Sequence, residues 1–229
     1  STEGGAAHGV SARKIYRDLF ANAQYRLTVL GYIAQTFALG GFTAWAAPLF
    51  ERRLCLPLSV GNQRFGYVTV ITGLVGTAVG GALPDRIGGS DRTRAALAVC
   101  GWSSFVAAPL AFAVLFMPDA TWAFAAMGVC ELAIFASVAP TNSAVLSSVP
   151  TALRANAMAA SIFAIHLLGD LISSPIIGGV SDAYHDSKDA CSGGAGLRAG
   201  MMLLPVALAL SAAFWIKGSR TPAAAQSPR

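Results

Sequence analysis

The chain has 229 residues, of which 55% are hydrophobic and only 12% are charged. Soluble domains usually carry about 25% charged residues, so the composition excludes an ordinary soluble globular protein. The net charge of +5 comes from basic residues at the ends of apolar runs rather than from one basic patch, which argues against a nucleic-acid partner. The composition is that of a helical membrane protein.

Long apolar runs separated by short polar breaks predict six membrane-spanning helices, because about 20 apolar residues cross a bilayer. Before them, residues 1–12 are rich in Gly, Ala and Ser and predict a flexible linker between the halves of a longer chain. The absence of an initiating Met and of a signal peptide also indicates a piece or a processed product. The transmembrane domain is expected over residues 26–217, with spans at about 27–50, 65–83, 95–117, 122–149, 153–182 and 197–216.

Two flanking segments complete the predicted organisation. Residues 13–25 place apolar side chains at helical spacing among basic ones, which suits a short amphipathic helix on the membrane surface or the solvated start of the first span. Residues 218–229 are rich in Pro, Ala and Ser and predict a disordered cytoplasmic tail.

Charge predicts the orientation of the chain in the membrane. Six spans place both termini on the same side, and 11 of the 16 Lys and Arg residues fall on that side. Since cytoplasmic loops are enriched in Lys and Arg, both termini are expected in the cytoplasm. We therefore expect a multi-pass protein of the plasma membrane, which in bacteria is the inner membrane.

The four cysteines show no metal-binding or redox spacing, and no metal or cofactor is expected. Cys100 and Cys130 lie inside apolar runs and are expected to be small core residues. Cys55 and Cys191 fall in loops on the outer side, where an oxidising compartment would permit a disulfide. Isolated loop cysteines also commonly stay unpaired, so the sequence leaves both possibilities open.

Ionisable residues occur at membrane depth in the fourth and fifth spans. His166 and Asp170 are four residues apart and share a helical face, and Ser173 is expected on the same stripe. Glu131 lies near the middle of the fourth span. Ionisable groups at this depth usually face a protein interior or a water-filled cavity, so Glu131, His166 and Asp170 are candidates for proton coupling or gating. Hydrogen bonds that only tighten helix packing are the alternative.

Polar residues on three spans extend this candidate pathway. The first span carries a polar stripe, and the fourth carries a Pro-Thr-Asn segment that should loosen its helix. A cavity wall or hydrogen bonds between helices would both explain such residues. The candidate cavity-lining residues are Tyr32, Gln35, Thr36, Thr43, Asn142 and Ser173.

The segment after the second span, Gly81-Ala-Leu-Pro-Asp85-Arg86-Ile-Gly88, resembles the G-x-x-x-D-R/K-x-G motif of major facilitator superfamily transporters. In that family the motif lies in a cytoplasmic loop between the second and third helices of a six-helix half. Here it lies between the second and third spans, on the side that charge assigns to the cytoplasm. The alternative is an ordinary positively charged loop that ends two helices.

The fifth span narrows the resemblance. His166-Leu-Leu-Gly-Asp170, followed by Ser174-Pro175 and Ser181-Asp182, looks like the eleventh helix of the Spinster group, a branch that transports lipids and lysolipids. The resemblance implies an all-α membrane fold, namely the C-terminal half of a 12-helix bundle. It also implies an N-terminal six-helix half as partner, contact with membrane lipid, and alternating-access transport of a small amphipathic or lysolipid substrate. Proton coupling would be a further property of such a transporter.

Two other classes of protein have six spans. An intramembrane enzyme would need a motif such as G-x-S-x-G or H-E-x-x-H, and neither occurs, so an enzyme is not expected. A channel or carrier that dimerises with itself is the other alternative, because a second copy could replace a missing half.

Overall fold

The structure is a computed structural model that describes residues 12–87, 91–184 and 188–221. Six helical segments are long and apolar enough to cross a membrane, so the protein is an all-α membrane protein. The helices are α1 (Ala12–Ala21), α2 (Ala23–Leu54), α3 (Leu58–Ile87), α4 (Arg92–Val114), α5 (Ala120–Phe135), α6 (Val138–Ser147), α7 (Arg154–Ile165), α8 (Leu171–Ala183), α9 (Ala195–Met201) and α10 (Leu203–Arg220). A 3₁₀ turn (Thr151–Leu153) precedes α7, and a π-helix (His166–Asp170) joins α7 to α8.

The amphipathic segment ends earlier than the predicted residues 13–25. Asn22 separates α1 from α2, because its side chain accepts a hydrogen bond from the backbone N–H of Tyr25 and caps the start of α2. The same side chain donates to the carbonyl of Ser148 at 2.7 Å. Tyr25 is buried and donates its hydroxyl to the carbonyl of Ala157 at 2.8 Å. The predicted linker lies almost wholly outside the described residues.

The connection between the first two spans is much shorter than its polar composition suggests. Only residues 55–57 separate α2 from α3, whereas the predicted spans, 27–50 and 65–83, leave residues 51–64 between them. Cys55 ends α2 in the left-handed conformation, with φ of 55°. Hydropathy identifies only the part of a helix that lies in the hydrocarbon core of the membrane. Polar residues such as Asn62 and Gln63 continue the helix beyond that part.

The first and last spans pack closely together. Trp215 of α10 is fully buried and donates its indole N–H to the carbonyl of Thr28 in α2 at 3.0 Å. Its ring fills the space where a Cβ on Gly31 would lie, so only glycine fits there. Ser211, also on α10, donates to the carbonyl of Gly31 at 2.8 Å. These contacts close the bundle from the first span to the last.

The fourth span is broken at Ala136 and Ser137, between α5 and α6. Proline has no backbone N–H and its ring clashes with the carbonyl four residues earlier, which here belongs to Ala136. The helix is therefore interrupted one turn before Pro140, whereas the sequence predicts that it loosens at the Pro-Thr-Asn segment itself. Ser137 fills the break, since its hydroxyl lies 2.7 Å from both the Ile134 carbonyl and the Gln35 side-chain oxygen.

The fifth span contains the π-helix at its centre. A π turn holds one extra residue and so changes which face of the helix the following residues occupy. Ser173 is consequently buried against Gly40 of α2 rather than aligned with His166, and its hydroxyl donates to the Asp170 carbonyl at 2.8 Å. The prediction that Ser173 continues the stripe of His166 is wrong for this reason.

A disulfide joins Cys55 and Cys191, whose Cα atoms are 4.8 Å apart. Two backbone hydrogen bonds accompany it, from Cys191 N–H to the Glu51 carbonyl and from Gly193 N–H to the Arg52 carbonyl. The segment before α9 is thereby held against the end of α2.

The last helix, α10, continues to Arg220, so the first residues of the predicted tail are helical. Residues 222–229 lie outside the described part.

Candidate functional site

Two of the cavities beside the π-helix border both His166 and Asp170. The larger has a volume of about 690 Å³, and the smaller about 610 Å³. Thr36, Leu39, His166 and Asp170 line both cavities, so they form the ridge between them. The remaining walls are largely apolar, with residues such as Phe163 in the larger cavity. This is the chemistry of a site for a molecule that is mostly apolar with a small polar part.

His166 and Asp170 form the polar centre of these cavities. The Nδ1 atom of His166 lies 2.9 Å from Oδ2 of Asp170, and the two side chains are 64% and 37% exposed. An imidazole and a carboxylate at this distance can share a proton, and both remain accessible from the cavity. Gly169 between them permits close contact with α2, since a Cβ there would lie 2.9 Å from Thr36 Cβ.

The structure brings most of the predicted lining residues to these cavities. Tyr32, Gln35, Thr36 and Asn142 line the smaller one, and Thr43 lines the larger one together with Thr36. Some of their polar atoms already form hydrogen bonds within the protein. The Thr36 and Thr43 hydroxyls donate to carbonyls of their own helix, those of Tyr32 and Leu39.

Gln35 is the most tightly held of the lining residues. It is buried, its amide nitrogen donates to the Ile134 carbonyl at 2.9 Å, and its oxygen accepts from Ser137 at 2.7 Å. These bonds tie α2 to the break between α5 and α6. Of the predicted set, Ser173 is buried between helices and is not among the described residues that line either cavity.

Glu131 lies apart from the His166–Asp170 pair. Its side chain is fully buried between α5 and α3, where its two oxygens lie 3.0 Å from the hydroxyls of Thr69 and Thr72. It is not among the described residues lining the two cavities. The three ionisable residues predicted as candidates for proton coupling or gating thus occupy two separate places.

Sequence reasoning missed Thr69 and Thr72 as partners of Glu131. The two threonines are three residues apart and share a face of α3, which is a readable signal for a polar patch on an apolar helix. What the sequence does not contain is the rotation of α3 that turns this patch toward α5. Only the packed structure supplies that pairing.

The Gly81–Gly88 motif lies at the opposite end of the bundle from the disulfide. Asp85 sits in the last turn of α3, where its carboxylate is 3.7 Å from the Arg92 Nε at the start of α4. Gly81 and Arg86 are also exposed on α3, and Gly88 lies outside the described residues. The pair links the ends of two consecutive spans, although both side chains are exposed and such pairs contribute little to stability.

Sequence comparison finds relatives named as transporters. A probable sphingolipid transporter of Arabidopsis thaliana, spinster homolog 2, is 36% identical over 177 residues, which are 76% of this chain and 36% of that protein. The sphingosine-1-phosphate transporter SPNS2 of Danio rerio is 27% identical over 214 residues, which are 86% of this chain and 42% of that protein. The chain therefore spans less than half the length of these relatives, and their names point to a protein that is not an enzyme. No family model matches.

Structural comparison identifies the fold. A crystal structure of a bacterial homologue of the human lysosomal transporter Spinster, inward-facing and unoccupied, superposes with a TM-score of 0.77 at 20% identity. The match covers 96% of this chain and 52% of that one. The six-span region is thus similar in sequence to proteins named as spinster homologues, and it has the fold of about half of the bacterial Spinster homologue.

Proposed function

We propose that this chain is the C-terminal six-helix half of a secondary transporter that moves a small amphipathic or lipid-like substrate by alternating access. The half-length match to a complete transporter and the transporter names of the relatives support this proposal. The other six-helix half would be its partner and would supply the facing wall of the pathway.

The cavities around the π-helix are the observation that carries the proposal. Their walls are mostly apolar, while the His166–Asp170 pair provides one polar site at mid-span. An acyl chain needs the first property and a headgroup needs the second. The described lining contains no Lys or Arg, so a phosphate-bearing substrate would take its cationic partner from the other half.

Proton coupling is the finer part of the proposal. His166 and Asp170 would bind and release a proton at the cavity, and the change in charge would favour one of the two orientations of the half. Glu131 would act indirectly. When ionised it accepts hydrogen bonds from the hydroxyls of Thr69 and Thr72, whereas protonation makes one of its oxygens a donor and so changes how α5 binds α3.

The proposed setting is the plasma membrane with both termini in the cytoplasm. The supporting observation is the distribution of basic residues, of which Arg92 and Arg94 lie at the Asp85 end. In this orientation the disulfide faces the exterior or periplasm, where thiols are oxidised.

The test is transport by the intact transporter that contains this chain, reconstituted in lipid vesicles. We expect Asp170→Asn to lower pH-driven uptake of a fluorescent lysolipid about tenfold or more, because the His166 imidazole loses the carboxylate that would share and stabilise its proton. Glu131→Gln should lower it by a smaller factor. Asp182→Asn is the matched control, since Asp182 lies in the same span but pairs with Lys188 at the outer end, and it should transport normally.

The result separates the two parts of the proposal. Undiminished pH-driven uptake in both Asp170→Asn and Glu131→Gln would remove these residues from the mechanism. Absence of uptake of any lipid-like probe by the unmodified transporter would contradict the proposed substrate class.

A further inference from the structure

A third cavity lies between helix α1 and the fifth span, and we call it the α1 groove. Its volume is about 610 Å³. Tyr16 and Phe20 of α1 form one wall, and the small side chains of Ala159, Ala160 and Ala164 on α7 leave the space open. Among its described lining residues, the Tyr16 hydroxyl is the one polar side-chain group, so the groove suits an apolar occupant.

Contacts with the rest of the bundle hold the α1 wall in place. Leu19 is only 1% exposed and packs into a cluster that includes Val145 and Ala157. The Arg26 guanidinium donates to the carbonyl of Phe20 at 3.1 Å, which fixes the end of α1 against the start of α2. The groove is therefore a shaped part of the fold rather than a gap beside a loose helix.

The charged groups near the groove have partners of their own. Among the described side chains of α1, Arg17 and Asp18 carry charge, and they lie 3.7 Å from each other. Neither they nor Arg26 is among the described residues that line the groove. A charged headgroup therefore finds no partner in this lining, whereas a hydrocarbon chain needs none.

The α1 groove adjoins the larger of the two cavities at the π-helix. Phe163 and Leu167 line both spaces, and both side chains are exposed. The larger cavity also contains His166 and Asp170, so the shared wall connects a polar pair to an apolar groove. A single-chain amphiphile has the same two parts, a polar group and a hydrocarbon chain, joined end to end.

We propose that the α1 groove is a subsite for the hydrocarbon chain of the transported amphiphile, while the polar part of that molecule lies at His166 and Asp170. This inference rests on the transport function proposed above and adds a preference for chain length to it. A bilayer lipid or a helix of the other half would also cover an apolar groove. The wall shared with the cavity favours the chain of the substrate.

The length of the connected space predicts the preferred chain. Asp170 and Ala160 are ten residues apart, which corresponds to about 15 Å along a helix at about 1.5 Å per residue. Carbon–carbon bonds of about 1.5 Å at about 111° advance an extended chain by about 1.25 Å per carbon. A chain of about 12 carbons therefore extends from the polar pair to the α1 wall.

The test is competition for uptake by the intact transporter that contains this chain, reconstituted in lipid vesicles. Octanoyl, dodecanoyl and hexadecanoyl lysophosphatidylglycerol compete with the fluorescent lysolipid, each below its critical micelle concentration. We expect the dodecanoyl form to inhibit at a lower concentration than the octanoyl form, by up to about fourfold for each additional buried methylene. The hexadecanoyl form should gain little more, because its last carbons pass beyond the groove.

Variants separate the groove from partition into the vesicle membrane, which rises with chain length but is the same for every variant. Ala159→Phe fills the groove and Tyr16→Ala removes part of its far wall, and both positions are exposed, so both variants are expected to fold. Ala159→Phe should reduce the preference for the dodecanoyl over the octanoyl form about tenfold, as if about two methylenes were no longer buried. Tyr16→Ala should reduce it by a smaller factor.

Two controls accompany these variants. Inhibition by the octanoyl form should stay unchanged in both, because its chain ends before the α1 wall. Ala209→Phe makes the same substitution at an exposed position of α10 that is not among the described residues lining the groove, and it should keep the full preference for the dodecanoyl form.

The outcomes distinguish the two proposals. Absence of lysolipid uptake by the unmodified transporter would overturn the proposed function and the chain subsite together. Normal uptake with an unchanged chain-length preference in both Ala159→Phe and Tyr16→Ala would overturn the subsite alone. Equal losses at every chain length in these variants would mean that the groove holds a bilayer lipid or a helix of the other half, and would also overturn the subsite.

Discussion

The ionisable residues of the fourth and fifth spans lie in two different environments, one at a cavity and one enclosed between helices. His166 and Asp170 face cavities and contact each other, so both side chains are accessible to a molecule bound there. Glu131 is enclosed and contacts only hydroxyls of a neighbouring helix among its described hydrogen bonds. The same type of carboxyl group therefore lies at a cavity in one place and between two packed helices in the other.

The contacts of Glu131 predict its contribution to stability. Glu131→Leu should lower the free energy of unfolding by about 1 kcal/mol, because the Thr69 and Thr72 hydroxyls lose their shared partner. Glu131→Gln retains an acceptor and a donor and should cost less. Denaturant unfolding in mixed micelles measures both.

A double-mutant cycle provides the control for this prediction. Thr72→Val combined with Glu131→Leu should cost less than the sum of the two single changes, since both remove the same hydrogen bond. Strictly additive costs would mean that the bond between these side chains contributes nothing.

The π-helix is the element that shapes the candidate site. Because of its extra residue, Ser173 lies in the interface with α2, while His166 and Asp170 remain at the cavity. Pro175 follows closely, and its ring disfavours a regular helix at the carbonyl of Leu171, next to the end of the π-helix. Irregular backbone next to a cavity is common at functional positions in membrane helices.

Close packing of the π-helix on α2 makes a second prediction. A Cβ on Gly169 would lie 3.2 Å from the Ile33 carbonyl as well as near Thr36, so Gly169→Ala should cost about 1–3 kcal/mol of stability by forcing the helices apart. Gly179→Ala is the matched control in the same span, because no atom lies within 4 Å of its added Cβ. The control should be neutral or stabilising by about 0.5–1 kcal/mol. Equal midpoints of thermal unfolding for the two variants would contradict the packing argument.

The elements differ in how far the sequence predicts them. Six spans follow from hydropathy alone, because 20 apolar residues have one stable arrangement in a bilayer. Their ends do not follow from hydropathy, and α3 begins at Leu58 rather than near residue 65 because its helix continues through polar residues beyond the apolar part of the span. The π-helix and the pairing of Glu131 with Thr72 depend on contacts between distant segments, which periodicity within one segment cannot reveal.

The whole bundle is asymmetric in how its helices are covered. Among the described residues, α2 contributes more of the largest buried side chains than any other helix, whereas α3 exposes a row of large apolar residues that includes Tyr67, Val70, Ile71 and Leu74. A surface of this kind is stable only against lipid or another protein. This agrees with a six-helix half that meets both the membrane and a partner half.

The disulfide predicts a measurable property of the whole molecule. Denatured protein without reductant should show two free thiols, those of the buried Cys100 and Cys130, and four after reduction. Four thiols without reductant would mean that Cys55 and Cys191 do not pair. Cys55→Ser should lower the free energy of unfolding by about 2–4 kcal/mol, since the bond closes a long loop of chain.

The contact of Trp215 with Thr28 has a consequence for how the protein is made. The two residues are 187 positions apart, so the first span emerges long before the residue that completes its packing. At about 5–20 residues per second, the ribosome takes roughly 10–40 s to synthesise the intervening chain. Throughout that interval the Gly31 notch lacks the Trp215 ring that fills it in the finished fold, so lipid, other spans or the insertion machinery must cover this face of α2.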